Sequence, residues 1–356
     1  MQLARHPWAL VPNKIVRYPG GREIDRFRGI EPPQDDGRPE AWVGSVTPVA
    51  HPSPQNPYDG CAEVVLPDGR RRYLFQALSE CAEEALGTEH VQQYGQELGL
   101  LVKLLDAQQQ LGLQCHPSRE YARSHFDSPF GKHESWYIIG LRTDTAEPPY
   151  VLLGFREGVT RAQFEAAYDR GDVDALHALC HKVPVSVGDV FNIGPGLVHA
   201  VGPGCFLVEV QEPSDITVGA TPLRTATAAQ QAAHRERLLG AYDYTGRSYE
   251  ENLATWRVQP QTLRQGPWGR ERQMIGPEQT PYFSFTELQA TAPVDLRQTG
   301  RAQIGLVLAG KGVLQYDGGS RPLQKADELF FPAAMTGAHL LPDPDGLTLV
   351  LCHPPR

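Results

Sequence analysis

The sequence predicts a mainly β protein, two β domains with a helical insertion and linker. Three observations carry this expectation. Thirty-five glycines and 31 prolines in 356 residues suit turn-rich β structure better than long helices. Short β-branched and aromatic runs, such as Trp136-Tyr137-Ile138-Ile139-Gly140 and Val190-Phe191-Asn192-Ile193, are bounded by turn residues. Three separated β-like stretches carry polar residues at their ends. Strand ends that converge in this way form the mouth of a small barrel, where ligand sites tend to form.

The elements follow in order. Residues 1–60 read as short strands and loops, since Pro32-Pro33 and Pro52-Ser53-Pro54 forbid regular helix there. Tyr73 to Leu86 has helical spacing at Leu74, Leu78, Cys81 and Leu86, with Gly87 as a stop. Leu98 to Leu105 is an apolar strand, and Glu120 to Phe126 a short helix capped by Ser118. Val151 to Phe155 is a strand. Thr160 to Leu179 is helical in pattern, broken in two at Gly171-Asp172. Phe206 to Gln211 is a strand, and Ala226 to Leu239 a helix ended by Gly240. From about Trp256 a second β unit begins, with short strands at Pro281–Leu288, Ala302–Ala309, Val313–Tyr316, Glu328–Pro332 and Leu347–Cys352. The expected division is 1–240, with a helical insertion at about 160–180, and 255–356.

Gln114 and His116 share one face of their strand and Cys115 takes the other, so a buried thiol is expected at Cys115. Glu134 opens the next strand. Gly194-Pro195-Gly196 ends the third and hands the chain to His199. Two imidazoles, a carboxylate and an amide carbonyl suit a zinc ion with open coordination positions, although such a set accepts other divalent ions too.

At these residues the chain resembles the type I mannose-6-phosphate isomerases of the cupin superfamily. Leu101 to Asp106 leading into Gln114-Cys115-His116-Pro117 is similar to that family's lysine-bearing strand and its Gln/Lys-x-His-Pro. Phe130 to Tyr137 resembles Gly-Lys-x-Glu-x-Trp-Tyr, Gly188 to His199 resembles Gly-Asp-x-Phe-x-Ile-Pro-x-Gly-x-x-His, and Glu209 to Asp215 resembles Glu-x-Gln-x-x-Ser-Asp. The similarity runs from Trp42 to Thr217, and more loosely to about Trp256. The resemblance implies cupin jelly-roll barrels, with the metal in the first and none in the second. His339 and His353, the histidines of that second unit, fall in no ligand spacing.

It also implies one zinc ion per chain, held by His116, Glu134 and His199 with Gln114 at a fourth position. Lys103 and Lys132 correspond to lysines near the substrate phosphate or the reacting carbons, and Glu209 and Asp215 to acidic residues of the site. The implied activity is interconversion of mannose 6-phosphate and fructose 6-phosphate through an enediol. The base is Glu209 or Asp215, with Lys132 as proton donor or phosphate contact; the sequence does not choose among them. On Phe206 to Gln211, Glu209 and Gln211 share a face opposite Val208 and Val210, so an inward face would aim Glu209 at the metal.

Two positions depart from the pattern. The family's Ser-Asp-x-Thr-x-Arg has glycine here, Gly219, in place of an arginine with a catalytic or substrate-orienting role. Arg224, five residues on, is the one arginine placed to reach back. Gly112 stands where some members carry a serine close to the phosphate. Both departures lie at the substrate end, so two further readings stand beside the isomerase. One keeps the metal and takes a different or unphosphorylated sugar; the other binds sugar without turnover.

Composition narrows the rest. Hydrophobic residues make up 40% and charged residues 21%, enough for a substantial core. Net charge is −9 with no basic stripe, which argues against nucleic acid as the main partner; the small sugar phosphate is the partner the resemblance implies. Lysine is scarce, six in the chain, which draws attention to Lys103 and Lys132. The six cysteines form no CxxC pair, so neither a disulfide scaffold nor a zinc ribbon is expected. No signal-length or membrane-length apolar stretch occurs, and a cytoplasmic location is expected.

Overall fold

The computed structural model describes residues 3–223, 225–297 and 299–356. Strands dominate, in three antiparallel sheets of eleven, seven and five strands among these residues. Two sheets frame the candidate residues. The seven-stranded sheet runs Arg257–Val258, Val190–Ile193, Glu134–Leu141, Cys205–Gln211, Leu101–Asp106, Glu40–Val43, Lys14–Ile15. The five-stranded sheet runs Cys180–Pro184, Tyr150–Phe155, His199–Val201, Gln114–Cys115, Val218–Gly219.

Strand alternation decides what each face meets. Val102, Leu104, Val208 and Val210 lie on one face of the seven-stranded sheet and pack with Phe285, Ile304, Phe330 and Val350 of the eleven-stranded sheet. Leu105, Trp136, Ile138 and Leu207 lie on the other face and meet Val151, Leu153 and Val201 of the five-stranded sheet. The seven-stranded sheet is therefore covered on both sides. The far face of the five-stranded sheet, with Cys115, Leu152 and Ala200, is covered by Phe164, Ala167, Leu176, Leu238 and Leu239 from helices. Cys115 is fully buried there, and burial pushes its thiol well above the ordinary range.

Those helices start and stop on local signals. Thr160 and Gln163 form a capping box for Arg161–Arg170, Gly171 ends that helix with φ 64°, and the Asp172 side chain caps Val173–Ala178. The next long helix is Ala228–Ala241, two residues later at each end than the spacing suggests, because Thr227 and Gln230 make its capping box. Gly240 does not end it. A Cβ at Gly240 would lie 2.7 Å from the Tyr121 hydroxyl, so this glycine permits close packing inside the helix.

Other elements differ from expectation. A helix, Arg22–Arg28, lies within residues 1–60, ahead of both proline clusters that limit helix there. Residues 74–86 form two helices, Leu74–Glu80 and Ala82–Leu86, because Cys81 leaves helical geometry. The strands expected at 302–309 and 313–316 are one, Gln303–Tyr316, whose register shifts past Gly310 keep it continuous. Gln261–Gly266 and Gly269–Ile275 were hidden by their polar composition. The expected division of the chain does not describe strand pairing near the N-terminus. Trp8–Leu10 pairs with Glu328–Phe331 and with Glu63–Val65, so these early strands join the C-terminal sheet. Among the described residues no helix is long and apolar enough to cross a membrane.

Leu104 is fully buried where the seven- and eleven-stranded sheets meet. Leu104→Ala is expected to lower stability by about 2–5 kcal/mol through lost contacts and a residual cavity. Denaturant titration checks this, and a change under about 1 kcal/mol would mean that the two sheets do not share a tight core.

Candidate metal centre

The site lies between the five- and seven-stranded sheets. In the first, His199 pairs with Gln114, whose other neighbour is Gly219, and His116 follows Cys115 directly. In the second, Glu134 pairs with Ile193 and Gln211. Cys115 faces the helices, so Gln114 and His116 face inward, toward Glu134.

The distances close the group. His116 Nε2 lies 3.0 Å from Glu134 Oε2, and His199 Nε2 lies 3.5 Å from Glu134 Oε1. Donor atoms of His116, Glu134 and His199 all fall within 4.8 Å of one another, and the three residues are buried. Gln114 Nε2 is 3.3 Å from His199 Nε2, and half a turn of the amide brings its oxygen to the same place.

Each imidazole is oriented through its other nitrogen. His116 Nδ1 lies 3.1 Å from the Ile216 carbonyl and His199 Nδ1 lies 2.9 Å from the Leu197 carbonyl. Donation from Nδ1–H leaves a lone pair on each Nε2, directed at the shared point. Burial, then the charge of Lys132, pushes the His116 pKa down to about 3, and burial lowers that of His199. Both rings are therefore neutral near pH 7, the state that binds metal. Burial alone would raise the Glu134 carboxyl, but Lys132, His116 and His199 together outweigh it and hold Glu134 well below the usual carboxylate range.

The donor set fits a cation. Glu134 is 1% exposed, and neither of its oxygens accepts a hydrogen bond. Lys132 Nζ stands 2.7 Å from Glu134 Oε2 and 2.9 Å from His116 Nε2, close in distance but without hydrogen-bond geometry to the carboxylate. Two imidazole lone pairs and an ionised carboxylate aimed at one point repel one another unless positive charge lies between them.

A second buried cluster adjoins the first along the seven-stranded sheet. Glu209 is opposite Lys103 in register, and Lys103 is opposite Trp42. Lys103 Nζ lies 3.0 Å from Glu209 Oε1, 3.8 Å from Glu40 Oε2 and 5.0 Å from the centre of the Trp42 ring. Burial would lower the Lys103 pKa, but Glu209 and Glu40 outweigh it and the ammonium is held above its ordinary value. Burial and then the charge of Glu134 raise Glu209 in spite of Lys103. Lys103 and Lys132 are thus buried and central, not surface lysines.

Asp215 stands apart from this cluster, at the rim. Its Oδ2 accepts from Arg17 at 2.7 Å and from the Ala50 N–H at 2.9 Å. Burial would raise its carboxyl, and Lys103 with Arg17 lowers it instead. The Arg17 guanidinium lies 5.6 Å from the Trp42 ring centre, so Arg17 and Lys103 both approach the same indole. Arg17, Tyr18, Glu40 and Trp42 come from strands and loops far upstream, and no spacing ties them to the histidines. The buried Tyr18 hydroxyl has no partner, and burial, then Glu40 and Glu209, raises its pKa well above the ordinary value. The Glu40-x-Trp42 alternation beside Lys103 was the one local signal available. A Cβ at Gly219 or Gly112 would meet nothing within 4 Å, so open space stands at both positions. Arg224 lies outside the described residues.

Stacked antiparallel sheets with a buried His/Glu/His group between two of them define a class, β proteins able to hold one metal ion. No protein-family model matches the chain. ManA, a mannose-6-phosphate isomerase of Bacillus subtilis, is 37% identical over 123 residues, 35% of this chain and 36% of that protein's length. The mannose-6-phosphate isomerase of Streptococcus mutans is 28% identical over 255 residues, 70% of this chain and 74% of that one. The crystal structure of the mannose 6-phosphate isomerase from B. subtilis shares the fold, with a TM-score of 0.76 at 21% identity over 98% of this chain and 99% of that one. The chain is thus similar in sequence to mannose-6-phosphate isomerases and shares the fold of a solved one.

His116→Ala and His199→Ala are each expected to strip the metal from the purified protein, as is Glu134→Gln. Elemental analysis after dialysis provides the check. Full metal retention in any one of the three variants would remove that residue from the ligand set.

Proposed function

We propose that this protein interconverts mannose 6-phosphate and fructose 6-phosphate by moving a proton between the first two sugar carbons. A zinc ion would be held by His116, Glu134 and His199, with Gln114 completing the set. The observation that carries the reading is the neighbouring cluster: a second buried carboxylate, Glu209, 3.0 Å from Lys103 and on the same inward face as Glu134. When bound, the cation supplies positive charge against which negative charge growing on the substrate oxygens is stabilised.

The remaining work falls to side chains. Glu209 takes the proton from one carbon and returns it to the other. Its environment suits this, because burial and the charge of Glu134 raise its affinity for a proton toward the working range. Lys132 donates to a sugar oxygen beside Glu134. Lys103 and Arg17 meet the phosphate, with the Trp42 face beneath both. Asp215 acts through Arg17, which it orients, so we assign it a positioning role and leave the proton transfer to Glu209. Arg17 thereby brings a guanidinium to a site whose family arginine position is Gly219. The open space at Gly219 and Gly112 favours one alternative, the same chemistry on a different sugar.

The direct test is NMR of mannose 6-phosphate in heavy water, with zinc-loaded protein against a chelated control. Zinc-dependent fructose 6-phosphate carrying solvent deuterium is the expected result. Neither product nor exchange would reject the isomerase reading, and turnover of another sugar alone would transfer it to the alternative. Glu209→Gln should keep its metal and lose about 10²–10⁴-fold in turnover. Arg17→Met should raise KM for the phosphorylated sugar with kcat little changed, whereas a merely structural Arg17 would leave KM unmoved in protein of normal thermal stability.

A further inference from the structure

A second cavity, of about 410 Å³, opens in the C-terminal β unit, away from the metal centre. Its floor is one face of three neighbouring strands. Gln273 pairs with Thr286 and Thr286 with Leu351, while Ser284 pairs with His353 in the next row. Hydroxyl and amide groups thus stand side by side where the family resemblance implies a metal-free barrel. Arg297, Arg301 and Arg356 line the cavity above them.

We propose that this cavity binds a phosphomonoester with a hydroxyl-bearing body, a ligand of sugar-phosphate size. The assignment is independent of the isomerase reading.

Charge is the first support. Arg297 reaches a carboxylate only at 4.0 Å, that of Glu271, which Arg264 already engages. Among the described residues, Arg301 and Arg356 have no carboxylate within ion-pair distance; Arg301 donates only to the Pro355 carbonyl, at 3.5 Å. Glu271 also lines the cavity, so one buried carboxylate, already engaged by Arg264, stands against three guanidiniums and leaves positive potential in the cleft. Their fields meet at the floor: burial, then Arg297, Arg356 and Arg301, pushes the His353 pKa down to about 4. His353 is therefore neutral near pH 7 and able to donate or accept a hydrogen bond.

The second support is a buried hydroxyl. Thr286 is 5% exposed, lines the cavity, and its Oγ1 has no hydrogen-bond partner. Buried polar atoms without partners are rare, and one that faces a cavity is a donor and acceptor waiting for a ligand atom. The volume lies within the range of small-molecule sites. A planar guanidinium matches two oxygens of a phosphate at once, and three of them match a dianion better than a single carboxylate. Gln273, Ser284 and Thr286 then meet the hydroxyls of the ligand body.

The test is calorimetric titration at low ionic strength with glycerol 3-phosphate, using inorganic phosphate and glycerol as controls. Lys103→Met removes a phosphate contact at the metal centre and is expected to leave this binding in place. R297Q/R301Q should weaken it by about tenfold or more per guanidinium. Thr286→Val, nearly the same shape, should weaken it severalfold without shifting the melting temperature, and so reads the site even if the arginine variant folds poorly. Heat with glycerol 3-phosphate, less with phosphate and none with glycerol is the supporting pattern. Wild-type protein that takes up no phosphate compound overturns the proposal, as does affinity unchanged in R297Q/R301Q and Thr286→Val, or binding abolished by Lys103→Met alone.

Discussion

The ionised carboxylate of Glu134, buried between two sheets, is the constraint on which the rest of the site depends. A charge removed from water in this way must be matched at close range. Lys132 Nζ, 2.7 Å from Glu134 Oε2, supplies part of that match and a bound cation would supply the rest, and the backbone around them is built to hold the arrangement. The loop bearing Lys132 and His133 is tied down by Glu212, which accepts from the His133 N–H at 3.0 Å while engaging Arg119 at 2.5 Å. Ser214 Oγ donates to the Gly131 carbonyl on the same loop. Gly131 must be glycine, since a Cβ there would lie 2.6 Å from the Pro117 carbonyl oxygen. The strand with Glu134 and the turn after His116 thus press together at backbone distance.

The layering makes such a charge tolerable. The seven-stranded sheet is covered on both faces, and the charged groups beside the candidate metal site all lie on one of them. Val102, Leu104, Val208 and Val210 commit the other to an apolar contact with the eleven-stranded sheet. Lys103, Glu209 and Glu134, on the inward face, are left with one another and with the five-stranded sheet. A one-residue slip of any of these strands would exchange the two sets and bury charge against Phe285 and Ile304. Packing against the C-terminal unit therefore opposes any slip in the register of the site, and Tyr282 and Phe283 also meet His133 on the loop before Glu134.

Within the cleft two buried carboxylates are driven in opposite directions. Glu134, beside Lys132, stays ionised; Glu209, desolvated by burial and repelled by Glu134, holds protons more readily. Divergent environments for two acids in one site are the usual physical basis for giving one of them a fixed charge and the other a proton to move. Lys103 sits between Glu209, Glu40 and the Trp42 face, so its charge is anchored at the boundary between the reacting end and the rim that holds Arg17 and Asp215.

The convergence of His116, Glu134 and His199, a group able to hold a metal, was legible in sequence because each strand's geometry is local. Alternation around Cys115 set Gln114 and His116 on one side, and a glycine-rich turn delivered His199, so residue type and period sufficed. The helix caps at Thr160 and Ser118 were legible for the same reason, each being a short-range hydrogen bond. What tertiary structure alone decided is everything that depends on which strands become neighbours. Trp8–Leu10 crosses to the C-terminal sheet, Glu40 and Trp42 arrive beside Lys103, and Arg17 reaches Asp215 across 198 positions of chain. Strand pairing at that separation leaves no period in the sequence, because the partner of each residue is chosen by the packing of whole sheets and not by its neighbours along the chain.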